Sequence, residues 1–288
     1  MKSGIIFLNK KSGITSFDAL RDIKRALGTG KVGHTGTLDK FAQGLLIVLT
    51  GSSLKLSQWF TGCDKQYTAK IHFGIETDTL DPEGEVIHTA DVPSLDHVEK
   101  VLAQFTGGIL QEPPVYSAIH IDGKRASSLA RSGALPEMKK RPVTVFKLDL
   151  ISWQPPFAEI FVHCSSGTYI RSLARDIAAA AGSRGHLVSL LRTRIGGFGL
   201  ESACREDIAE NIESIVSPVD KSIINGLGIS LFEVNPEQAQ YIRHGKPLDH
   251  IMKNFNCETD KTVAVFSGDL LIAIVENSKS KWKYGCVI

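Results

Sequence analysis

The stretch VGHTGTLDKFAQGLLIVLTG, residues 32–51, divides into two halves of opposite character. The first is rich in glycine and polar residues and reads as a loop too broken for regular structure. The second, LLIVLT from Leu45 to Thr50, is an apolar run of strand length, expected to be buried on both faces. His34, Thr35, Thr37 and Asp39 crowd the loop. Loops held on a rigid scaffold are where chemistry is normally placed, although a lone Asp in such a loop is ordinarily a turn former.

Working outward, Gly4–Asn9 reads as a short buried strand, and Thr15 opens a helix through a Thr-x-x-Asp capping box to Asp18. Phe17, Leu20, Ile23 and Leu27 follow at helical spacing, and Gly28 supplies the stop. SSLKLSQWF reads as a helix. From Tyr67 the pattern alternates, with Tyr67, Ala69, Ile71, Phe73 and Ile75 on one face of a half-buried strand. TDTLDPEGEV is a turn-rich hairpin, and Val98, Val101, Leu102 and Phe105 mark another amphipathic helix. Strand-like segments recur at VYSAIHI, VTVFKLDLISW and AEIFVHC, followed by the helix IRSLARDIAAAAG ended by Gly182. Leu190, further on, has the setting of a helix-core residue. Strands and helices do not alternate regularly, so the class is α+β with a mixed, largely antiparallel sheet rather than a doubly wound fold. After about Asp220 the texture changes to short strands, TVAVFSG, LLIAIVENS and KWKYGCVI, divided by turn residues. Two units are expected, residues 1–225 and a β-rich unit over 226–288.

At 288 residues, with 42% hydrophobic and 22% charged residues, the chain is neither disordered nor collagenous nor a disulfide miniprotein. Its five cysteines are scattered without a CxxC pair, which predicts a reducing compartment and no zinc site. MKSGIIFLNKKSG carries too short an apolar run for a signal peptide, and nothing approaches a membrane span. A soluble, cytoplasmic protein with no membrane partner is expected. The net charge of +2 hides segregation: residues 1–70 hold eleven Lys and Arg against four Asp and Glu, and residues 71–100 hold eight acids against one base. Residues 171–205 add six arginines against two acids. Such blocks permit a polyanionic partner without demanding one.

Several motifs fail. GTGK at Gly28–Lys31 is no P-loop, because Arg25 stands where the first glycine belongs and Val32 where Ser or Thr belongs. DTLDPEG has its acids at the wrong intervals for a calcium loop. HExxH, GxSxG and a strand-to-helix GxGxxG are all missing, so hydrolase, kinase and dehydrogenase readings lack their residues.

Five blocks in order carry a resemblance instead: NKKSGITS; VGHTGTLDKFAQGLL; KQYTAKIHFGIETDTLDPEGEV; PPVYSAIHIDGK; and GTYIRSLARDIA leading to GHLVSLLRT. Together they resemble the TruB family of tRNA pseudouridine synthases and run from residue 4 to about 195. The resemblance implies a pseudouridine-synthase fold with a central cleft, plus a C-terminal PUA-like RNA-binding unit, of which RHGKPL is the most similar patch. It also implies isomerisation of uridine 55 in the tRNA T-loop by base flipping, with no cofactor or metal, by a monomer whose partner is the tRNA T-arm.

The same resemblance assigns roles. Asp39 aligns with the family's catalytic aspartate, and Arg171, in TYIR, with the arginine that pairs with it. Such a pairing lowers a carboxylate's pKa and holds its orientation. Tyr67 matches the tyrosine that stacks on the flipped base; stacking on an aromatic contributes about 1–3 kcal/mol. Tyr169 and Leu190 match pocket-lining positions. His34 matches the residue that fills the space of the displaced nucleotide, and Lys10 the lysine of a Lys-Pro pair packing near the catalytic loop. The chain departs from the family pattern at Lys11 and Lys40, where Pro is common, and at Gln43, His120, Ser127 and Leu129. Those changes bear on RNA contact rather than on the reaction. A catalytically silent RNA-binding relative would need neither Asp39 nor Arg171.

Overall fold

The computed structural model describes residues 2–134, 136–204, 212, 214–253, 262–278 and 281–288. The apolar run after the Asp39 loop forms the strand Gln43–Thr50, buried from Gly44 onward. Both of its faces are covered, which explains its unbroken hydrophobicity. Leu45, Ile47 and Leu49 enter one core with Phe60 and Phe198, while Leu46 and Val48 meet Leu20 and Ile23 on the other side.

Across the large sheet the order is Gly4–Lys10, Gln43–Thr50, Gly185–Ile195, Lys65–Phe73, Phe157–Cys164, Arg141–Gln154 and Gly107–Gln111. Val32–His34 pairs with Gln43–Thr50, and Phe198–Gly199 with Gly185–Ile195. Every pairing is antiparallel but one: Leu191 and Arg192 lie parallel to Gln43 and Gly44. Gly44 sits at φ +111 there, and a Cβ on it would run into the Arg192 backbone, so only glycine lets the two strands meet. The mixed α+β architecture is as expected.

The helix Ser16–Ala26 starts on the Thr15–Asp18 capping box, with both reciprocal bonds made. Its buried face is Ser16, Ala19, Leu20 and Ile23, and Phe17 lies instead on the solvent side beneath the Lys24 ammonium. The strand Lys65–Phe73 alternates strictly, with Tyr67, Ala69, Ile71 and Phe73 buried. Ile75 belongs to the following hairpin strand Ile75–Thr77, which pairs with Val86–Thr89.

Four local expectations need correction. The Gly-rich loop contains a short strand, Val32–His34, because it can pair with the long buried strand beside it. SSLKLSQWF is helical in two parts, a 3-10 turn Gly51–Leu56 and an α-helical turn Ser57–Gly62. In VYSAIHI only His120–Ile121 is strand, since Pro113 and Pro114 precede a turn in which the Ser117 amide donates to Val115 O. Leu190 lies on the strand Gly185–Ile195, not on a helix. A bulge between Leu187 and Ser189 turns both Leu187 and Leu190 into one core, and that spacing of three imitates a helical period.

The C-terminal strands form a four-stranded sheet ordered Ser230–Glu233, Thr262–Ser267, Leu270–Ser278 and Lys281–Val287. One face packs on the helix Pro236–Arg243 through Ile242, Val263 and Val265. Ala264, Phe266 and Ile274 on the other share a core with Leu45 and Ile47 of the large sheet. Among the described residues no helix is long and apolar enough to cross a membrane.

Candidate active site

Asp39 projects from the loop between Val32–His34 and Gln43–Thr50, beside the single parallel junction of the sheet. That loop is tied down carbonyl by carbonyl. Thr61 Oγ1 donates to Thr35 O, Arg192 Nη2 to Gly36 O at 3.0 Å, and Arg192 Nη1 to Thr37 O at 3.4 Å. Ser16 Oγ donates to Leu38 O and accepts from the Leu38 amide. The Ala42 amide closes a turn on Asp39 O, the Gly13 amide bonds Lys40 O, and Ser12 Oγ bonds Phe41 O. Seven consecutive carbonyls therefore have a donor, and a loop with so many fixed acceptors loses little order when a ligand arrives.

Arg171 reaches Asp39 from the first turn of the helix Ile170–Ala180. Its Nη2 donates to Asp39 Oδ1 at 3.1 Å; its Nε lies 2.9 Å from Oδ2, an ion-pair contact without hydrogen-bond alignment. The rest of the guanidinium is used as well: Nη1 donates to Thr79 O at 2.7 Å and to Asp81 Oδ2 at 3.3 Å, and Nη2 to Tyr116 O at 3.0 Å. Arg171 is thus a buried hub between two carboxylates. Its helix start is fixed by Gln111, which accepts from the Tyr169 amide and donates to Tyr169 O.

Asp39 differs from expectation in its acidity. Its side chain keeps 34% exposure, but the surrounding protein desolvates it enough to raise its pKa, with Arg171 opposing and Asp81 adding to the rise. Burial outweighs the pairing. Lys10, 1% exposed, places its ammonium under the loop, donating to Ile14 O at 2.7 Å, Lys11 O at 3.0 Å and Lys40 O at 3.5 Å. Burial pushes it down to about 8, partly offset by Asp39.

Tyr67 and Leu190 line one apolar cluster with Leu38, Ala42 and Ile170, directly beneath the Asp39 loop. Burial raises the Tyr67 phenol, and the neighbouring Arg192 opposes the rise. Tyr169 stands at the N-cap of the Arg171 helix; burial raises its phenol too, with Ser117 beside it. Asp39 is a charged neighbour of Lys10, Tyr67, Tyr169 and Arg171 alike, so five of the expected residues converge with Leu190 on one place. His34 stands apart, with Arg192 and Lys24 as its charged neighbours; burial lowers its pKa, which leaves the ring neutral at pH 7.

Three residues of the site escaped the sequence reading. Asp81 lies in the rejected DTLDPEG turn, where Thr79 Oγ1 and the Glu83 amide donate to its Oδ1. Its signal was an acid cluster that served no calcium loop. Gln111 ends an edge strand, and Arg192 is one of the six arginines of residues 171–205, yet it is 2% exposed. An Arg inside the apolar run LVSLLRT was the available clue.

The TruB family pseudouridylate synthase (N terminal domain) profile matches residues 24–170. The chain is 36% identical to the tRNA pseudouridine synthase B of Borreliella afzelii (strain PKo) over 99% of both chains. It is 37% identical to that of Francisella philomiragia, over 97% of this chain and 92% of the relative. Among solved structures, a chain of the crystal structure of a Cbf5-Nop10-Gar1 complex shares the fold with a TM-score of 0.72 at 24% identity, covering 96% of this chain and 79% of that one. A profile match across half the chain, end-to-end relatives and a shared fold lead to one conclusion: the chain belongs to the TruB family of tRNA pseudouridine synthases, isomerases of uridine in RNA.

Proposed function

We propose that this enzyme isomerises uridine 55 of the tRNA T-loop, with Asp39 as its catalytic residue. The observation that carries the reading is the Asp39 carboxylate, paired to buried Arg171 above an apolar floor containing Tyr67. In the reaction the N1–C1′ bond breaks, the uracil turns, C5 bonds to C1′, and the C5 proton leaves to a base while N1 gains one. Atoms and electrons balance without a redox partner or external group, so no cofactor is needed. Asp39 acts as nucleophile or base; Arg171 orients it. Tyr67 stacks on the flipped base, Tyr169 and Leu190 line its pocket, His34 fills the vacated space, and Lys10 supports the loop from below.

Residues 1–225 form the catalytic unit in this reading. Residues 226–288 form a PUA-like RNA-binding unit, and the protein acts as a cytoplasmic monomer on the T-arm. The test is to incubate purified protein with an unmodified tRNA transcript in EDTA and map pseudouridine by position. Conversion of the single T-loop uridine, in tRNA and in a T-arm minihelix, is expected. Modification elsewhere, or an absolute need for ATP, would overturn it.

A further inference from the structure

Arg192 is a large buried cation in an unusual setting. It is 2% exposed; it donates to three backbone carbonyls, Nε to Leu45 O at 2.8 Å, Nη2 to Gly36 O at 3.0 Å and Nη1 to Thr37 O at 3.4 Å, and its side chain also hydrogen-bonds the Tyr67 phenol. Among the described residues no carboxylate forms an ion pair with it within 4.0 Å. Burying a guanidinium this way is costly, and an apolar side chain of similar volume would pack the same space more favourably. The charge therefore has a purpose other than stability.

The geometry identifies that purpose. Gly36 and Thr37 precede Asp39 in its loop, and Leu45 follows it in the next strand. Only a planar fork with several fixed donors can hold both segments at once; a lysine ammonium is a single point on a flexible stem. Arg192 also lies opposite Tyr67 on the adjacent strand and at the parallel junction with Gly44. We propose that Arg192 is a positioning residue for the isomerisation, fixing the Asp39 loop against the strand that follows it. Its guanidinium additionally places positive charge near both Asp39 and the Tyr67 phenol.

The inference rests on Asp39 carrying the chemistry, so the experiment includes Asp39→Asn as a separate arm. Full-length wild type, Arg192→Lys, Arg192→Met and Asp39→Asn are compared for single-turnover rate and tRNA affinity. A misplacement of about 1 Å costs on the order of a hundredfold, so Arg192→Met is expected to lose about that in rate while its Kd stays within roughly threefold. Arg192→Lys, which keeps the charge and guards against a folding failure of the Met variant, is expected to lose about tenfold. In the Lys variant, amide exchange over Gly36–Phe41 is expected to quicken while exchange in the helix Ile170–Ala180 is unchanged. In the Met variant the acid limb of the rate profile is expected to move to higher pH, because a neighbouring positive charge has gone. Turnover by folded Arg192→Lys within about threefold of wild type overturns the inference, as does a rate loss matched by an equal loss of tRNA affinity. If Asp39→Asn is inert while the Arg192 variants turn over normally, only this inference fails. An active Asp39→Asn removes the proposed chemistry beneath it.

Discussion

Asp39→Asn and Arg171→Met perturb the same contact from opposite ends, and the structure assigns them opposite signatures. Asp39→Asn keeps the size of the side chain and removes its charge. Arg171 loses one partner but retains Asp81, Thr79 O and Tyr116 O. Because burial raises the Asp39 pKa above 3.8, its ionisation at neutral pH opposes folding. The Asn variant should therefore unfold at the same or a slightly higher temperature than wild type. That margin should grow as pH rises from 3.8 through the raised native value and vanish below 3.8, where Asp39 is protonated in both folded and unfolded chains. Pseudouridine formation should fall below detection, while RNA affinity stays within about tenfold, or ~1.4 kcal/mol. Arg171→Met strands two carboxylates, one of them 7% exposed, and leaves two carbonyls without their donor. Breaking a buried pair of this kind costs about 3–5 kcal/mol. At roughly 2–4 °C per kcal/mol, its melting temperature should drop by about 6–20 °C. Thermal unfolding by circular dichroism from pH 3 to 8, with single-turnover assays on the folded fraction, measures both. Near-normal turnover by Asp39→Asn, or an Arg171→Met as stable as Asp39→Asn, would refute the reasoning.

Three further outcomes are expected. Tyr67→Phe should retain stacking and most activity, whereas Tyr67→Ala should lose about 1–3 kcal/mol of base contact; equal collapse in single-turnover assays would assign the hydroxyl a chemical role. Wild type should gain stability over Lys10→Met as pH rises from about 8 towards 10.5, since the folded ammonium deprotonates first; a flat difference in denaturant melts would contradict its burial. With Asp39 in its proposed role as an ionised nucleophile or base, the acid limb of wild-type single-turnover rates should lie above the ordinary aspartate value of 3.8, since burial raises it.

Sequence patterns disclosed most of the architecture where one local cause dominated. The Thr15–Asp18 box, the alternation from Tyr67 and the double-sided strand after Gly44 each follow from backbone periodicity or a cap. They faltered where a distant partner decided. Phe17 is in phase with the apolar stripe of its helix only if the stripe is centred one residue away from where packing on Val48 sets it. Leu190 looked helical because a bulge, invisible in one strand alone, skips a residue against Lys65–Phe73. For the site, Asp39, Arg171 and Tyr67 were legible through ordered blocks, but Asp81, Gln111 and Arg192 were not. Each of these three acts on backbone or side chains far away in sequence, and composition gives no hint that an Asp, a Gln or an Arg is buried.

The parallel junction also dictates when the Asp39 loop can be fixed in place. Gln43 and Gly44 meet Leu191 and Arg192 across a separation of 147 residues at the Leu45–Arg192 bond. Closing such a loop costs about 2 kcal/mol more entropy than closing one a tenth as long, and pairings of high contact order form late. A growing chain emerging from the ribosome could fold the strands around Gln43–Thr50 early. It would still lack the last strand that completes the Asp39 neighbourhood until residue 192 had been made. The Arg171–Asp39 pair can thus be in place before Arg192 arrives to hold the Gly36 and Thr37 carbonyls, so the Asp39 loop is the last part of this neighbourhood to be fixed.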